Sequence, residues 1–142
     1  MNFSNKDGGK IIFELIKTIQ DKKDFLSEVD GKIGDGDHGI NMNKGFTMTY
    51  CKVNGKDYDM TTAFSVLGDT LLEDIGGSMG PLYGAFFDGL SEASEDHDVI
   101  DKKTFQEMIH TALEAIQDIG NAKRGDKTLL DTLIPAVEAY DA

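Results

Sequence analysis

The stretch Asp30-Gly31-Lys32-Ile33-Gly34-Asp35-Gly36-Asp37-His38-Gly39-Ile40-Asn41-Met42-Asn43 carries the chemistry of this chain and separates two helical segments. Its glycines open backbone angles closed to other residues, so the loop can fold back and aim Asp30, Asp35 and Asp37 at one place. Carboxylates brought together repel one another unless a cation neutralises them. Hard oxygen donors without sulfur suit Mg²⁺ or Ca²⁺ better than zinc. The spacing is not that of an EF-hand, because the twelfth position counted from Asp30 is Asn41 and not a bidentate Glu. The loop runs straight into a helix start at His38, where free backbone N–H groups form an anion site beside the carboxylates. A solvated acidic turn, with Asp37 capping the next helix and His38 a surface histidine, is the alternative reading of the same residues.

Outward from this loop the apolar residues recur at helical spacing. Ile11, Ile12, Leu15, Ile16 and Ile19 form one stripe, and Ala63, Phe64, Leu67, Leu71, Leu72 and Ile75 another. Phe105, Met108, Ile109, Ala112, Leu113 and Ile116 form the cleanest. Leu129, Leu130, Leu133, Ile134 and Val137 make a last stripe, interrupted by Pro135, which predicts a bend or an irregular turn there. No useful segment alternates with period two, so the class is all-α. Helices are predicted at roughly 4–21, 23–29, 38–50, 60–75, 80–94 and 102–119, with a seventh from about 128. Thr61 or Thr62 is placed to cap the fourth, Asp101 opens the sixth, and Thr128 with Asp131 has capping-box spacing before the last.

Two further loops carry possible chemistry. Gly76-Gly77-Ser78-Met79-Gly80-Pro81-Leu82-Tyr83-Gly84 makes a helix–glycine–helix corner, with Pro81 in the first turn of the following helix. Such a corner exposes N–H groups to which a phosphate can come close, or is simply a tight interhelical turn. It lacks the Gly-Lys-Ser/Thr ending of a Walker loop and follows no strand. Gly120 to Thr128 mixes glycines with Lys123, Arg124 and Lys127, which either face phosphates or an acidic partner, or form a solvated basic turn.

Composition narrows the partners. The 142 residues carry 14 basic and 26 acidic groups, a net of 14 − 26 = −12. That balance argues against nucleic acid and anionic membranes, but not against a phosphorylated ligand reached through a bound cation. Cys51 is the single cysteine, so no intrachain disulfide forms. There is no basic-then-apolar leader and no apolar run of about 20 residues, so a cytoplasmic, single-domain protein over residues 1–142 is expected.

Taken together, the three loops resemble the L domain of dihydroxyacetone kinases. Ile33-Gly34-Asp35-Gly36-Asp37-His38-Gly39-Ile40-Asn41-Met42-Asn43-Lys44-Gly45-Phe46 looks like the family signature. Gly76-Gly77 with Gly80-Pro81-Leu82-Tyr83-Gly84 resembles its second loop, and Gly125-Asp126-Lys127-Thr128 with Asp131 its third. The resemblance implies an up-and-down helical barrel or bundle with ADP or ATP at one end. It implies Asp30, Asp35 and Asp37 as ligands of two Mg²⁺ ions, and phosphate contacts from His38, Gly39, Ile40 and Asn41. Ser78, Met79, Gly120 and Leu129 would flank the nucleotide. A phosphoryl group would pass to dihydroxyacetone on a separate K subunit, with no catalytic nucleophile from this chain.

Because the chain opens directly on L-type helices, it resembles the free-standing subunit of the phosphotransferase-system version. There ADP is a resident coenzyme, rephosphorylated by an M subunit. Two side chains depart from the family pattern: Ser78-Met79 stands where alanine and serine are usual, and Leu129 where methionine is usual. The family's Gly-Arg-rich segment and Asp-Pro-Gly turn are also absent, so the bundle is expected to lack its C-terminal helix or helices. A non-catalytic sensor of ADP or ATP that docks on a regulator is a competing function, and a helical calcium module using the aspartate loop alone is a third.

Overall fold

The computed structural model describes residues 1–142. Seven helices follow one another: α1 (Ile11–Asp21), α2 (Lys23–Gly31), α3 (His38–Val53), α4 (Met60–Asp74), α5 (Met79–Ser94), α6 (Lys102–Ile119) and α7 (Leu130–Asp141). The main packed neighbours run α1–α3–α4–α5–α6–α7, the sequential order of an up-and-down bundle, with α2 laid against α3. Helix α7 continues through Pro135, so the proline does not end it.

The chain's start departs from the expected helix over 4–21. Phe3–Ser4 (β1) pairs antiparallel with Val99–Ile100 (β2), and a 3-10 turn occupies Lys6–Lys10 before α1 begins. Adjacent glycines explain the change, since each costs an α-helix about 1 kcal/mol relative to alanine. Both Gly8 and Gly9 are buried, and a side chain at Gly9 would run into the Tyr58 carbonyl. Asn5 ties this start down. Its Nδ2 donates to Thr61 Oγ1 at 2.8 Å and to the His97 carbonyl at 2.8 Å, and its Oδ1 accepts from the Thr61 N–H at 3.2 Å.

The starts of α3, α4 and α6 each follow an aspartate. The cap of α4 is Asp59, not Thr61 or Thr62: its carboxylate accepts from the Thr62 N–H at 2.7 Å, the N-cap to N3 bond. The Thr61 hydroxyl is engaged with Asn5 and with Ser94 Oγ at 2.7 Å, and so is not available for capping. Asp101 caps α6 in the expected way, accepting from Thr104 N–H at 2.8 Å.

The core is a continuous cluster from α1 to α6 that includes Ile12, Ile16, Phe46, Leu67, Leu71, Phe87 and Met108. Leu67 and Leu71 are fully buried, each contributing roughly 1.5–3 kcal/mol by leaving water. The closest helix pair is α4–α5, brought together by absent side chains. A Cβ on Gly68 would strike the Asp88 carboxylate, one on Gly80 the Leu71 and Ile75 carbonyls, and one on Gly84 the Leu72 side chain. These pairings run in opposite directions along the two helices. They fix α4 and α5 antiparallel, so the Gly76–Ser78 turn lies at the same end of the bundle as the start of α3.

Candidate functional site

Asp30 stands in the last turn of α2, Asp35 in the loop, and Asp37 immediately before α3. One carboxylate oxygen from each lies within 4.8 Å of the other two. The backbone arranges this convergence. The Gly34 N–H donates to the Asp30 carbonyl at 2.6 Å, closing the turn, and Gly36 takes a φ of 77°, a left-handed angle that favours glycine. Gly34 itself must lack a side chain, because a Cβ there would come within 2.5 Å of Asp30 Oδ1.

The hydrogen bonds within the loop give each carboxylate a separate task. Asp30 Oδ2 accepts from the His38 N–H at 3.2 Å, so Asp30, and not Asp37, supplies the side-chain cap of α3. Asp37 Oδ2 accepts from Asn41 Nδ2 at 3.1 Å, and Asp35 Oδ1 from the Asp37 N–H at 3.3 Å. A hydrogen bond shared with Asp37 holds the Asp35 carboxyl below the ordinary carboxylate range. The same bond pushes Asp37 up, with partial desolvation and the charges of Asp35 and Asp30 adding to it. All donors in the cluster are oxygens, and three crowded carboxylates present the negative field and hard ligand set that a divalent cation such as Mg²⁺ requires.

The second loop closes on the first. Asp35, Asp37, Asn41, Gly76, Gly77, Ser78 and Met79 line one cleft of ≈ 330 Å³. Gly77 takes a φ of 72°, and nothing lies within 4 Å of where a Cβ would stand on Gly76 or Gly77, so the corner is open to a ligand. Two helices start here. The N–H groups of Gly39 and Ile40 on α3, and of Met79 and Gly80 on α5, have no acceptor within the chain. Unsatisfied N–H groups at helix starts favour anions. A cleft with carboxylates on one wall, and Asn41 of the first turn of α3 and Met79 at the start of α5 on its lining, is suited to holding a metal–phosphate group.

The remaining expected residues take other positions. Gly39 is buried against α2, where a Cβ would strike the Lys23 carbonyl and come within 2.6 Å of Ser27 Oγ. Its packing role is to set α2, and with it Asp30, against α3. The His38 ring lies 6.0 Å from the Tyr83 ring and borders an apolar hollow with Phe25, Val29 and Ile33. Ile40 is exposed. Gly120 ends α6 and Leu129 precedes α7, and neither lines the cleft. From the first turn of α7, Asp131 organises the loop between them by accepting from the N–H groups of Gly125 at 2.7 Å, Lys127 at 2.6 Å and Thr128 at 3.3 Å. Arg124, in the loop, pairs with Glu138 of α7 at 3.1 Å.

The sequence marks Gly76 and Gly77 as part of a corner that a phosphate can approach but assigns nucleotide contacts there to Ser78 and Met79 alone, whereas both glycines line the cleft. The positive φ of Gly77 needed the structure, but the paired glycines just before a helix were a signal. Conversely Gly80 and Gly84, read as part of the same glycine corner, serve helix packing.

Residues 32–142 match the family model described as the DAK2 domain. The chain is 38% identical over 122 residues to the ADP-binding subunit of a PEP-dependent dihydroxyacetone kinase of Listeria innocua, covering 85% of this chain and 61% of that protein. It is 40% identical over 114 residues to the ADP-binding subunit of a PTS-dependent dihydroxyacetone kinase of Lactococcus lactis, covering 80% and 57%. An Escherichia coli counterpart is 34% identical over 119 residues, covering 83% and 57%. The matched region thus spans about three-fifths of the length of these relatives. No helix is long and apolar enough to cross a membrane.

Proposed function

The chain belongs to the DAK2-domain family, and on that premise we propose that it holds ADP or ATP for a dihydroxyacetone kinase. The observation that carries this reading is the cleft in which Asp35, Asp37 and Asn41 face Gly76–Met79. Asp30, Asp35 and Asp37 would bind two Mg²⁺ ions, which supply charge neutralisation to the nucleotide phosphates. Asn41 holds the Asp37 carboxylate through its amide, and Asp30 orients the start of α3. The unpartnered N–H groups of Gly39, Ile40, Met79 and Gly80 offer hydrogen bonds to phosphate oxygens. Ser78 brings a hydroxyl to the same cleft, and Gly120 and Leu129, outside the cleft at the two ends of the third loop, would flank the part of the nucleotide that extends beyond it. The chain contributes positioning and no covalent nucleophile, with dihydroxyacetone carried by a K subunit. ADP is the resident coenzyme, rephosphorylated by a phosphotransferase-system M subunit, a reading supported by relatives named as ADP-binding subunits of PEP- or PTS-dependent kinases.

Calorimetric titration of ADP with and without Mg²⁺, on the parent chain and on Asp35→Ala, tests the site. Binding that requires Mg²⁺ and is lost in the folded variant is the expected result. Metal-independent binding, or full binding by Asp35→Ala, would remove the aspartate cluster from the function. A nucleotide sensor without chemistry is the second reading, and formation of dihydroxyacetone phosphate with K subunit, M subunit and a phosphoryl donor separates the two.

A further inference from the structure

A second cavity, of ≈ 250 Å³, lies where the 3-10 turn, α1 and the α3–α4 connection meet. It is remote from the aspartates: α3 runs from His38 at the cleft to Val53 at this cavity, 16 residues or about 24 Å. Its floor is apolar, with Ile12, Val53 and Ala63 each 2% exposed. Its rim carries Lys6, Lys10 and Lys56. None of the three lysines has a carboxylate within ion-pair distance, although Asp7 and Asp57 stand on the same rim and the chain carries a net charge of −12. In so acidic a chain, unpaired cations gathered over an apolar floor are out of keeping with a merely solvated face. One wall is fixed by backbone, since Gly9 packs so closely on the Tyr58 carbonyl that no side chain fits between them. Lys56 Nζ is 5.7 Å from the centre of the ring of Tyr58, which also lines the cavity.

We propose that this cavity binds a small organic anion, a carboxylate or phosphate ester with a short apolar body, with its charge at the lysines and its carbon chain on Ile12, Val53 and Ala63. The site is independent of the nucleotide cleft. An aliphatic body gains by burying its carbons on this floor, whereas a bare inorganic anion leaves the floor uncovered.

The test is ¹⁵N-resolved NMR titration of the full chain with hexanoate, hexanol and inorganic phosphate. Hexanoate is expected to give saturable shifts at the amides of Gly9, Lys10, Ile12, Val53 and Tyr58, and hexanol and phosphate much weaker ones. A Lys6→Gln, Lys10→Gln, Lys56→Gln variant, changed only at exposed positions, should retain the dispersed spectrum and bind hexanoate roughly tenfold or more weakly. The proposal is overturned if hexanoate produces no saturable shift, or shifts outside the cavity. It is equally overturned if hexanol or phosphate matches hexanoate, or if the triple variant binds as well as the parent.

Discussion

The Asp30 carboxylate accepts a hydrogen bond from the His38 N–H at 3.2 Å, which makes one side chain both a member of the acidic cluster and the cap of α3. Asp37 has no capping role, and the hydrogen bond it shares with Asp35, with partial desolvation and its neighbours' charges adding to it, pushes its carboxyl up. The two carboxylates should therefore separate in ion-free protein. Asp30→Ala is expected to lower stability by about 1 kcal/mol through loss of the cap. Asp37→Asn is expected to leave the melting temperature unchanged or raise it, because it removes a repelled charge and keeps a partner for Asn41. Thermal melts in EDTA measure both. Equal destabilisation by the two variants would contradict this division of roles.

Gly39 couples the loop to its support. Alanine at this position must displace the Lys23 carbonyl and Ser27 Oγ, and with them the helix that carries Asp30. Overpacking of this kind costs roughly 1–3 kcal/mol. Urea unfolding of Gly39→Ala should show that loss, and calorimetry should show Mg²⁺ affinity falling in the part that remains folded. A variant with parental stability would mean that α2 slides without strain.

The legible parts of this molecule were those that depend on local pattern. Stripes such as Phe105 to Ile116 specify helices through periodicity, and the residues of the aspartate loop announce their chemistry in order along the chain. What could not be read depends on partners far away in sequence. Asn5 holds the chain's start through Thr61 and His97, so the segment ahead of the Ile11 stripe, expected to open the first helix, becomes a strand and a 3-10 turn. Gly80 and Gly84 look like turn glycines until α4 is placed beside α5. Asp59 displaced the two threonines as the cap because Thr61 was already committed to Asn5 and Ser94.

Asp88 makes stability depend on pH. It sits against Gly68 in the α4–α5 seam, and burial together with the charge of Asp69 raises its pKa to about 6. A carboxyl whose pKa rises on folding favours the folded chain while it is protonated. Its contribution is complete below the unfolded value of about 3.9 and is lost as pH rises through about 6. Asp88→Asn should therefore raise the melting temperature at pH 8, with the gain shrinking toward zero near pH 4. Melts across that range test the sign, and a gain that is independent of pH would show that Asp88 does not titrate in this window.

Asp131 holds the third loop in a shape that the loop's own sequence does not impose. Gly125 and Lys127 both take positive φ, at 98° and 60°, and the lysine does so against its steric preference. Both N–H groups point to the Asp131 carboxylate, and these backbone bonds, led by that from Gly125, hold its pKa below the ordinary range. The ordering it provides is present above about pH 3.9 and is lost as pH falls through the depressed value. In Asp131→Ala the two amides lose their acceptor and Lys127 loses its reason to remain left-handed. Amide exchange at Gly125 and Lys127 at pH 6.5 should then accelerate toward unprotected rates, while α6 exchanges as before. Asp126→Ala is the matched control, because Asp126 accepts from the Lys123 N–H alone at 3.0 Å and should affect that amide only. If exchange at Gly125 and Lys127 is unchanged in Asp131→Ala, the loop is held by something other than this carboxylate, and Gly120 and Leu129 owe their placement to α6 and α7 directly.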